Sequence, residues 1–526
     1  MTTVLLRGGR VRTPLHPHAT ALLVEDGTVA WMGSDDEAAG IAAGLAAVET
    51  VRLGGALVTP AFVDAHVHTT ATGLGLDGLD LAGSPTLADA LERLARYARG
   101  RRGDVILGAG WDETTWPERR APTPFELDRA AGGAAVYLAR VDAHSALVSA
   151  ALLARCPEAR SLPGFDPGGQ LRLAAHHAAR RAAFASVTAA GRRTAQRATR
   201  ARAAELGIGC LHEMSGPDIA GGEEDLAALL ALAADEPGPE VVAYWGVLGD
   251  VWAGDRHDHR LAGVGGDLFI DGALGSHTAA LHDPYADSPN HLGELRFTAE
   301  QVAEHVIGCV RAGVQAGFHA IGDRAIDTVL DGFAWAARTL GADALRASRP
   351  RIEHAEMPSA AAIDRMARLG VVASVQPAFD ATWAGPDRMY THRLGAARAA
   401  AMNPFAAYAR AGVALALGSD SPVTPLDPWE GVRAAVRQRA GLGLSAADAF
   451  AAATRGGWHA AGRFDVPDAG TLVPGAPASY AVWDTEDAAV DPATGLPALD
   501  PDAPLPTCLR TVVRGQVVYD REGALT

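Results

Sequence analysis

From Ala61 to about Ala461 the chain alternates short apolar runs with alanine-rich helical stretches, and no other feature constrains its fold as strongly. Strand-length runs separated by helices call for parallel strands joined by crossover helices, an α/β core. Gly207–His212, Gly266–Asp271, Val314–His319, Pro350–His354, Val371–Gln376 and Val413–Asp420 are the strand candidates within it. The Ala/Arg-rich stretch 174–204 reads as one long solvated helix. Residues 70–135 are long for a single connection and are expected to hold an inserted subdomain.

The two ends have a different texture. Val4–Leu6, Ala21–Val24 and Val29–Met32 are apolar runs broken by Gly8-Gly9, Asp26-Gly27 and Gly33. Gly470–Val473, Ser479–Trp483, Leu509–Val513 and Gln516–Tyr519 repeat that pattern near the other terminus. Residues 1–60 and 462–526 are therefore expected to form one composite β-sandwich, leaving 61–461 for the core.

Composition excludes several function classes. With 62 acidic against 46 basic side chains and a net charge of -16, a nucleic-acid groove or an anionic membrane surface is not the expected partner. No run approaches the roughly 18 apolar residues of a membrane span, and Arg7 interrupts the only apolar run at the N-terminus. Cys156, Cys210, Cys309 and Cys508 lie far apart without a C-x-x-C pair, so neither a disulfide framework nor a cysteine zinc site is expected, and the cytoplasm is the default location. All 46 basic residues are arginine. A chain without lysine has no Schiff base, no phosphate-loop lysine and no lysine-derived metal bridge.

Three H-x-H triplets provide an internal control. His16-Pro17-His18 and His257-Asp258-His259 sit in polar, loop-like surroundings and read as surface residues. His66-Val67-His68 instead closes the apolar run LVTPAFVDAH. On a strand, residues i and i+2 point to one face, so both imidazoles can approach one cation. His319 in GVQAGFHAIGDRA, His354 in PRIEHAEM and Asp420 in VALALGSDSPV also stand at apolar strand ends. Singly, each reads as a buried histidine satisfied by a carbonyl, or an aspartate capping a turn. Together they place ligand-type residues where barrel enzymes put their active sites, at the carboxyl ends of parallel strands.

The order H-x-H, His, His, Asp resembles the amidohydrolase superfamily. PAFVDAHVH, GWDETTW, FIDGALGSHTAAL, FHAIGDRAID, RIEHAEM, SVQPAF and ALGSDSPV resemble amidohydrolase family 3 more closely, the group that contains N-substituted formamide deformylases. The resemblance runs to GTLVPGAPASYAVWD, nearly the whole chain. It implies a TIM-like (β/α)8 barrel with a composite β-sandwich and an inserted subdomain. It further implies metal ligands His66 and His68 on the first strand, His319 on the fifth and His354 on the sixth, with Asp420 on the eighth as ligand and proton acceptor. A divalent ion held there, zinc by ligand type, would lower the pKa of bound water from about 16 towards about 7. Asp420 would carry the proton to the leaving nitrogen, and His354 would help polarise the carbonyl.

One position departs from the family. The family phrase Lys-x-Phe-x-Asp-Gly, whose lysine is carboxylated and bridges two metals in many superfamily members, here reads Asp267-Leu268-Phe269-Ile270-Asp271-Gly272. From an unshifted strand an aspartate would fall short of the bridging position by about 3–4 Å. Asp267 is thus expected either to bridge or to bind a water or histidine behind the ligands, and one tightly held ion is favoured over two. His66, His68, His319 and Asp420 form the minimum ligand set, leaving His354 to contact substrate.

Trp111, His144, Asp271 and Arg324 are the expected substrate contacts. Trp111 belongs to Trp111-Asp112-Glu113 with Trp116 nearby; His212-Glu213, His277, Trp383 and Trp429 are further candidates for the pocket. The reading is a metal-dependent hydrolase of a non-peptide C–N bond in a small molecule, with a homodimer as the default assembly. Two others compete: a silent barrel that only binds a ligand or partner, and a metal-independent isomerase or lyase, which leaves the histidines unexplained. An unused buried imidazole cluster would be costly to desolvate.

Overall fold

Phe62–Val67 is buried at all six positions, as expected of a strand covered on both faces by other elements. It is the first of eight barrel strands: β1 (Phe62–Val67), β2 (Ile208–Ser215), β3 (Glu240–Trp245), β4 (Leu261–Val264), β5 (Gln315–Ala320), β6 (Arg351–His354), β7 (Val372–Val375) and β8 (Ala414–Leu417). The computed structural model describes residues 3–45, 47–101, 105–217, 219, 221–249, 261–462, 468–485 and 489–525. Adjacent strands pair in parallel in the order β1 to β8. The ring closes just beyond β8, where Val67 bridges Ser421 and the Asp420 amide donates to the His66 carbonyl at 2.8 Å. The fold is a (β/α)8 barrel.

The fourth strand departs from the expected run 266–271. Gly265 and Gly266 have φ of +107° and +61° and turn the chain off β4 after Val264. The segment then rejoins β5, with the Ile270 amide donating to the His319 carbonyl and the His319 amide to the Leu268 carbonyl, each at 3.0 Å. The apolar run Leu268-Phe269-Ile270 thus still pairs, but one step further along. β3, from the run EVVAYW, lies outside the expected set.

Both chain ends build two sheets. One holds Thr28–Gly33, Ala21–Glu25, Thr3–Arg7 and Glu49–Arg52; the other holds Arg10–Val11, Leu57–Pro60, Tyr480–Asp484, Thr507–Val513 and Gln516–Asp520. Leu6, Leu22, Val58, Tyr480, Val482 and Val512 share one buried cluster between them. A five-stranded sheet follows β1, made of Leu79–Asp80, Val105–Trp111, Ala135–Arg140, Ser145–Val148 and Gln170–Arg172. It therefore extends past residue 135. The runs AVYLAR and SALV have the composition of barrel strands, and only their pairing, such as Ala135 with Val105, assigns them to this sheet. The single helix expected over 174–204 is two, Leu173–Phe184 and Ala189–Glu205, with Thr188 capping the second. It is not wholly solvated: His176, His177, Gln196 and Arg200 are buried.

Candidate metal centre

β1 carries His66 in its last turn of pleat and His68 immediately after it, and both rings enter the mouth of the barrel. His354 ends β6 and Asp420 follows β8, both with left-handed backbone (φ 69° and 54°). Non-glycine residues pay a steric penalty in that conformation, of order 1–3 kcal/mol, and it recurs where a side chain must be aimed.

Each imidazole is oriented by a contact on Nδ1. His66 Nδ1 lies 2.9 Å from Glu353 Oε2, His68 Nδ1 2.9 Å from the Met214 carbonyl, and His354 Nδ1 2.7 Å from Gln376 Oε1. Contacts on one ring nitrogen free the other for a cation. The remaining nitrogens face the centre, with His66 Nε2 3.4 Å and His68 Nε2 3.1 Å from Asp420 Oδ1. Behind His66, Arg351 grips Glu353 with Nε at 2.8 Å and Nη2 at 3.2 Å, all of it buried.

His66 Nε2 and Asp420 Oδ1 are buried without a hydrogen-bond partner. Such atoms are costly unless something pairs them. Ligands of one ion with bonds of about 2.0–2.2 Å stand about 3.3–3.6 Å apart in a tetrahedron. The separation of 3.4 Å falls within that range and 3.1 Å is slightly below it, and His66, His68 and Asp420 form one ligand triad. A second triad, His66, Asp267 and His354, shares His66. The residues fit a divalent ion.

The charges agree. Burial lowers the pKa of His68, but the neighbouring carboxylates of Asp420, Asp267 and Glu213 overcome it and raise it to about 9. His354 likewise rises to about 9, through Asp267, Asp420 and Glu356 against burial. Burial raises the Asp420 pKa, yet its neighbours His66 and His68 bring it below its ordinary range. For Glu353, Arg351 and His66 outweigh burial and hold the pKa at about 2. The centre thus gathers negative charge that protons satisfy when a cation does not.

His319 and Asp267 meet at the cavity that His68 and His354 line. His319 Nδ1 contacts Asp267 Oδ1 at 3.0 Å, its Nε2 lies 3.3 Å from the Gly272 carbonyl, and its ring centroid is 4.4 Å from that of His354. Asp267 does reach the centre. Its oxygens lie 3.5 Å from His354 Nε2, 3.7 Å from His68 Nε2 and 4.0 Å from His66 Nε2, because the chain leaves β4 early.

A cavity of about 480 Å³ opens from the centre towards the five-stranded sheet. Leu74, Leu79, Leu107, Phe184, Ile219, Phe269 and Leu426 give it a mainly apolar wall, with Arg140, Asp142, His144 and Arg180 as polar points. His144 lines it as expected, 5.0 Å ring to ring from His319, and burial holds its pKa well below the ordinary range, so it is neutral. Three expected substrate contacts do not line it. Trp111 is fully buried in the sheet's own core beside Trp116, its Nε1 donating to the Leu138 carbonyl, because the strand's pleat turns it away from the barrel. Asp271 spends both oxygens on the amides of Ile321, Ala280 and Gly322, which makes it a loop clamp. Arg324 stands in the first turn of the helix Asp323–Leu340.

Of the further candidates, Trp429 packs with Phe62, Phe450 and Trp483 in the barrel core. Trp383 borders a space of about 20 Å³ beside His354. His277 pairs Asp287 at 3.0 Å, His212 meets Arg351 at 3.1 Å, and Glu213 accepts from the Thr69 amide at 2.7 Å. Asp112 and Glu113 both bind the buried Arg140. His16 and His18 are exposed, whereas His257 and His259 lie outside the described residues. Reasoning from sequence missed Glu353, Arg351 and Gln376; the alternation of Arg351 and Glu353 on a short apolar strand was the available signal.

A parallel barrel with histidines and carboxylates converging at its carboxyl end defines a metal-dependent hydrolase of the amidohydrolase type. The chain belongs to the amidohydrolase family, which residues 49–519 match. It is 26% identical to the N-substituted formamide deformylase of Arthrobacter pascens, over 96% of each chain. It is 28% identical to the protein LONG AFTER FAR-RED 3 of Arabidopsis thaliana, over 80% of this chain and 75% of that one. Among solved structures, an uncharacterized metal-dependent hydrolase from Pyrococcus furiosus superposes with a TM-score of 0.70 and 27% identity, over 93% of this chain and 99% of that one. Among the described residues, no helix is long and apolar enough to cross a membrane.

Proposed function

We propose that this protein hydrolyses a non-peptide C–N bond, in a formamide, simple amide or cyclic amide, of a small and largely apolar molecule. The observation that carries this reading is the buried, unpartnered pair His66 Nε2 and Asp420 Oδ1 beside His68, at the inner end of the apolar cavity. His66, His68 and Asp420 would hold a divalent ion, and imidazoles with a carboxylate suit zinc. When bound, such an ion supplies Lewis acidity, which acidifies water and polarises a carbonyl.

The chain's own groups supply the rest. Asp420, a carboxylate of lowered pKa, takes the proton of the attacking water and returns it to the leaving nitrogen. His354, its Nδ1 fixed by Gln376, aims Nε2 where a carbonyl oxygen can accept a hydrogen bond. Neutral His144 offers a further hydrogen bond across the cavity. The apolar wall excludes water from the remainder of the substrate. One ion is favoured, since His66 has a single nitrogen to give to the two overlapping triads.

The test is to strip the protein with a chelator, restore zinc, and screen formamides, N-acylated amines and cyclic ureas. Hydrolysis lost on stripping and regained with zinc is the expected result. Full activity of the stripped protein would remove the metal from the mechanism. Zinc binding without hydrolysis of any C–N substrate would favour the silent barrel.

A further inference from the structure

We propose that Asp267 is itself a ligand of the metal centre, standing where the family phrase has a lysine that is carboxylated in many superfamily members, so that this protein assembles its site without carbon dioxide. The inference rests on the metal-dependent reading above and adds how this chain builds the centre. A carbamate forms only on an amine, and the chain has no lysine to provide one.

A short side chain can serve because the backbone moves inward. Gly265 and Gly266 adopt left-handed conformations. A Cβ on Gly265 would fall 2.0 Å from the Gly317 carbonyl oxygen, and one on Gly317 would fall 2.6 Å from the Gly266 nitrogen. Three glycines thus let two backbones touch, and residue 267 enters the barrel mouth instead of standing on the wall. From there its short side chain stands 3.5–4.0 Å from His354, His68 and His66.

Both oxygens of the carboxylate face the histidines of the centre. Oδ1 meets His319 Nδ1 at 3.0 Å, an anchoring contact. Oδ1 also stands 3.5 Å from His354 Nε2 and 4.0 Å from the unpartnered His66 Nε2, and Oδ2 lies 3.7 Å from His68 Nε2. That separation is slightly wider than the edge of about 3.3–3.6 Å between ligands of one ion, a gap that small side-chain rotations close. Asp267 could instead serve only to orient His319. The two roles differ in magnitude, because losing a partner behind a ligand costs 10–100-fold in metal affinity and losing a ligand costs more.

The experiment titrates zinc into the chelator-stripped full-length protein by calorimetry, in buffer freed of carbon dioxide and in buffer with bicarbonate, and counts bound metal. Equal affinity and stoichiometry in both buffers are expected. Asp267→Asn, which keeps the shape, should weaken zinc binding by more than about 100-fold. Gly265→Ala should weaken it too with Asp267 intact, while circular dichroism of the zinc-free protein stays unchanged. A gain in wild-type affinity with bicarbonate, or an Asp267→Asn loss within 100-fold, would overturn the proposal. Wild-type protein that binds no zinc would overturn the metal reading as well. Tight binding by both wild type and Asp267→Asn overturns this inference alone.

Discussion

Glu353→Gln isolates the charge beneath the metal centre without changing side-chain size. Glu353 is fully buried, accepts from Arg351 at 2.8 and 3.2 Å, and contacts His66 Nδ1 at 2.9 Å. Holding its pKa at about 2 instead of 4.5 corresponds to ~3 kcal/mol of favourable interaction with its surroundings. This agrees with the ~3–5 kcal/mol lost when one member of a buried ion pair is removed and the other charge is stranded. Because the folded pKa is depressed, the contribution is complete above pH 4.5 and disappears as pH falls towards 2. The unfolding entropy of a chain this long is ~1.1 kcal/mol/K, so the metal-free variant should melt about 3 °C lower at pH 7. Glu205→Gln, which breaks an exposed pair with Arg202 at 3.0 Å, should cost at most ~0.5 kcal/mol. Zinc affinity of the Glu353 variant should fall about 10–100-fold, since His66 loses the partner that fixes its ring. Calorimetric melting of zinc-free protein and zinc titration measure the two effects separately. A variant that melts with the wild type and binds zinc equally would refute the claim that Glu353 both neutralises Arg351 and orients His66.

Asp420→Asn should lower kcat by about 10²–10⁴-fold, and a loss below tenfold would remove Asp420 as the proton carrier. Zinc affinity should rise with pH by about tenfold per unit from 7 to 9. His68, raised to about 9, must surrender a proton before it can bind an ion, and proton release measured in buffers of different ionisation enthalpy would show it. The sign is set by the raised pKa: protonated His68 stabilises the metal-free fold fully below pH 6.5, and this is lost through pH 9. Gly75→Leu places a side chain on the cavity wall, where a Cβ would stand 3.8 Å from Pro422. It should reduce kcat/KM for substrates with bulky apolar groups by roughly tenfold and spare small ones; an equal loss for both would place substrate elsewhere.

The barrel was legible because parallel strands buried on both faces leave continuous apolar runs, and His66, His68, His354 and Asp420 end such runs. The element boundaries were less so. AVYLAR in the inserted sheet and ALAL in β8 are alike in composition, and strand pairing alone separates them. Trp111 and Asp271 belong to chemistry-bearing phrases, yet a pleat direction and three backbone amides decide that they serve the scaffold.

What the sequence determined by itself was the alternation that makes a barrel, the residue types at its carboxyl end, and the absence of lysine. Each is a local property: periodicity, identity or count. Tertiary structure decided which nitrogen of each histidine faces the centre, that His319 turns to Asp267, and that Asp267 reaches inward. Those outcomes depend on contacts between residues far apart in the chain, such as His66 with Glu353 and Gly265 with Gly317. A shift of a few ångströms in one strand end, invisible in the order of residues, separates a carboxylate behind the ligands from one among them.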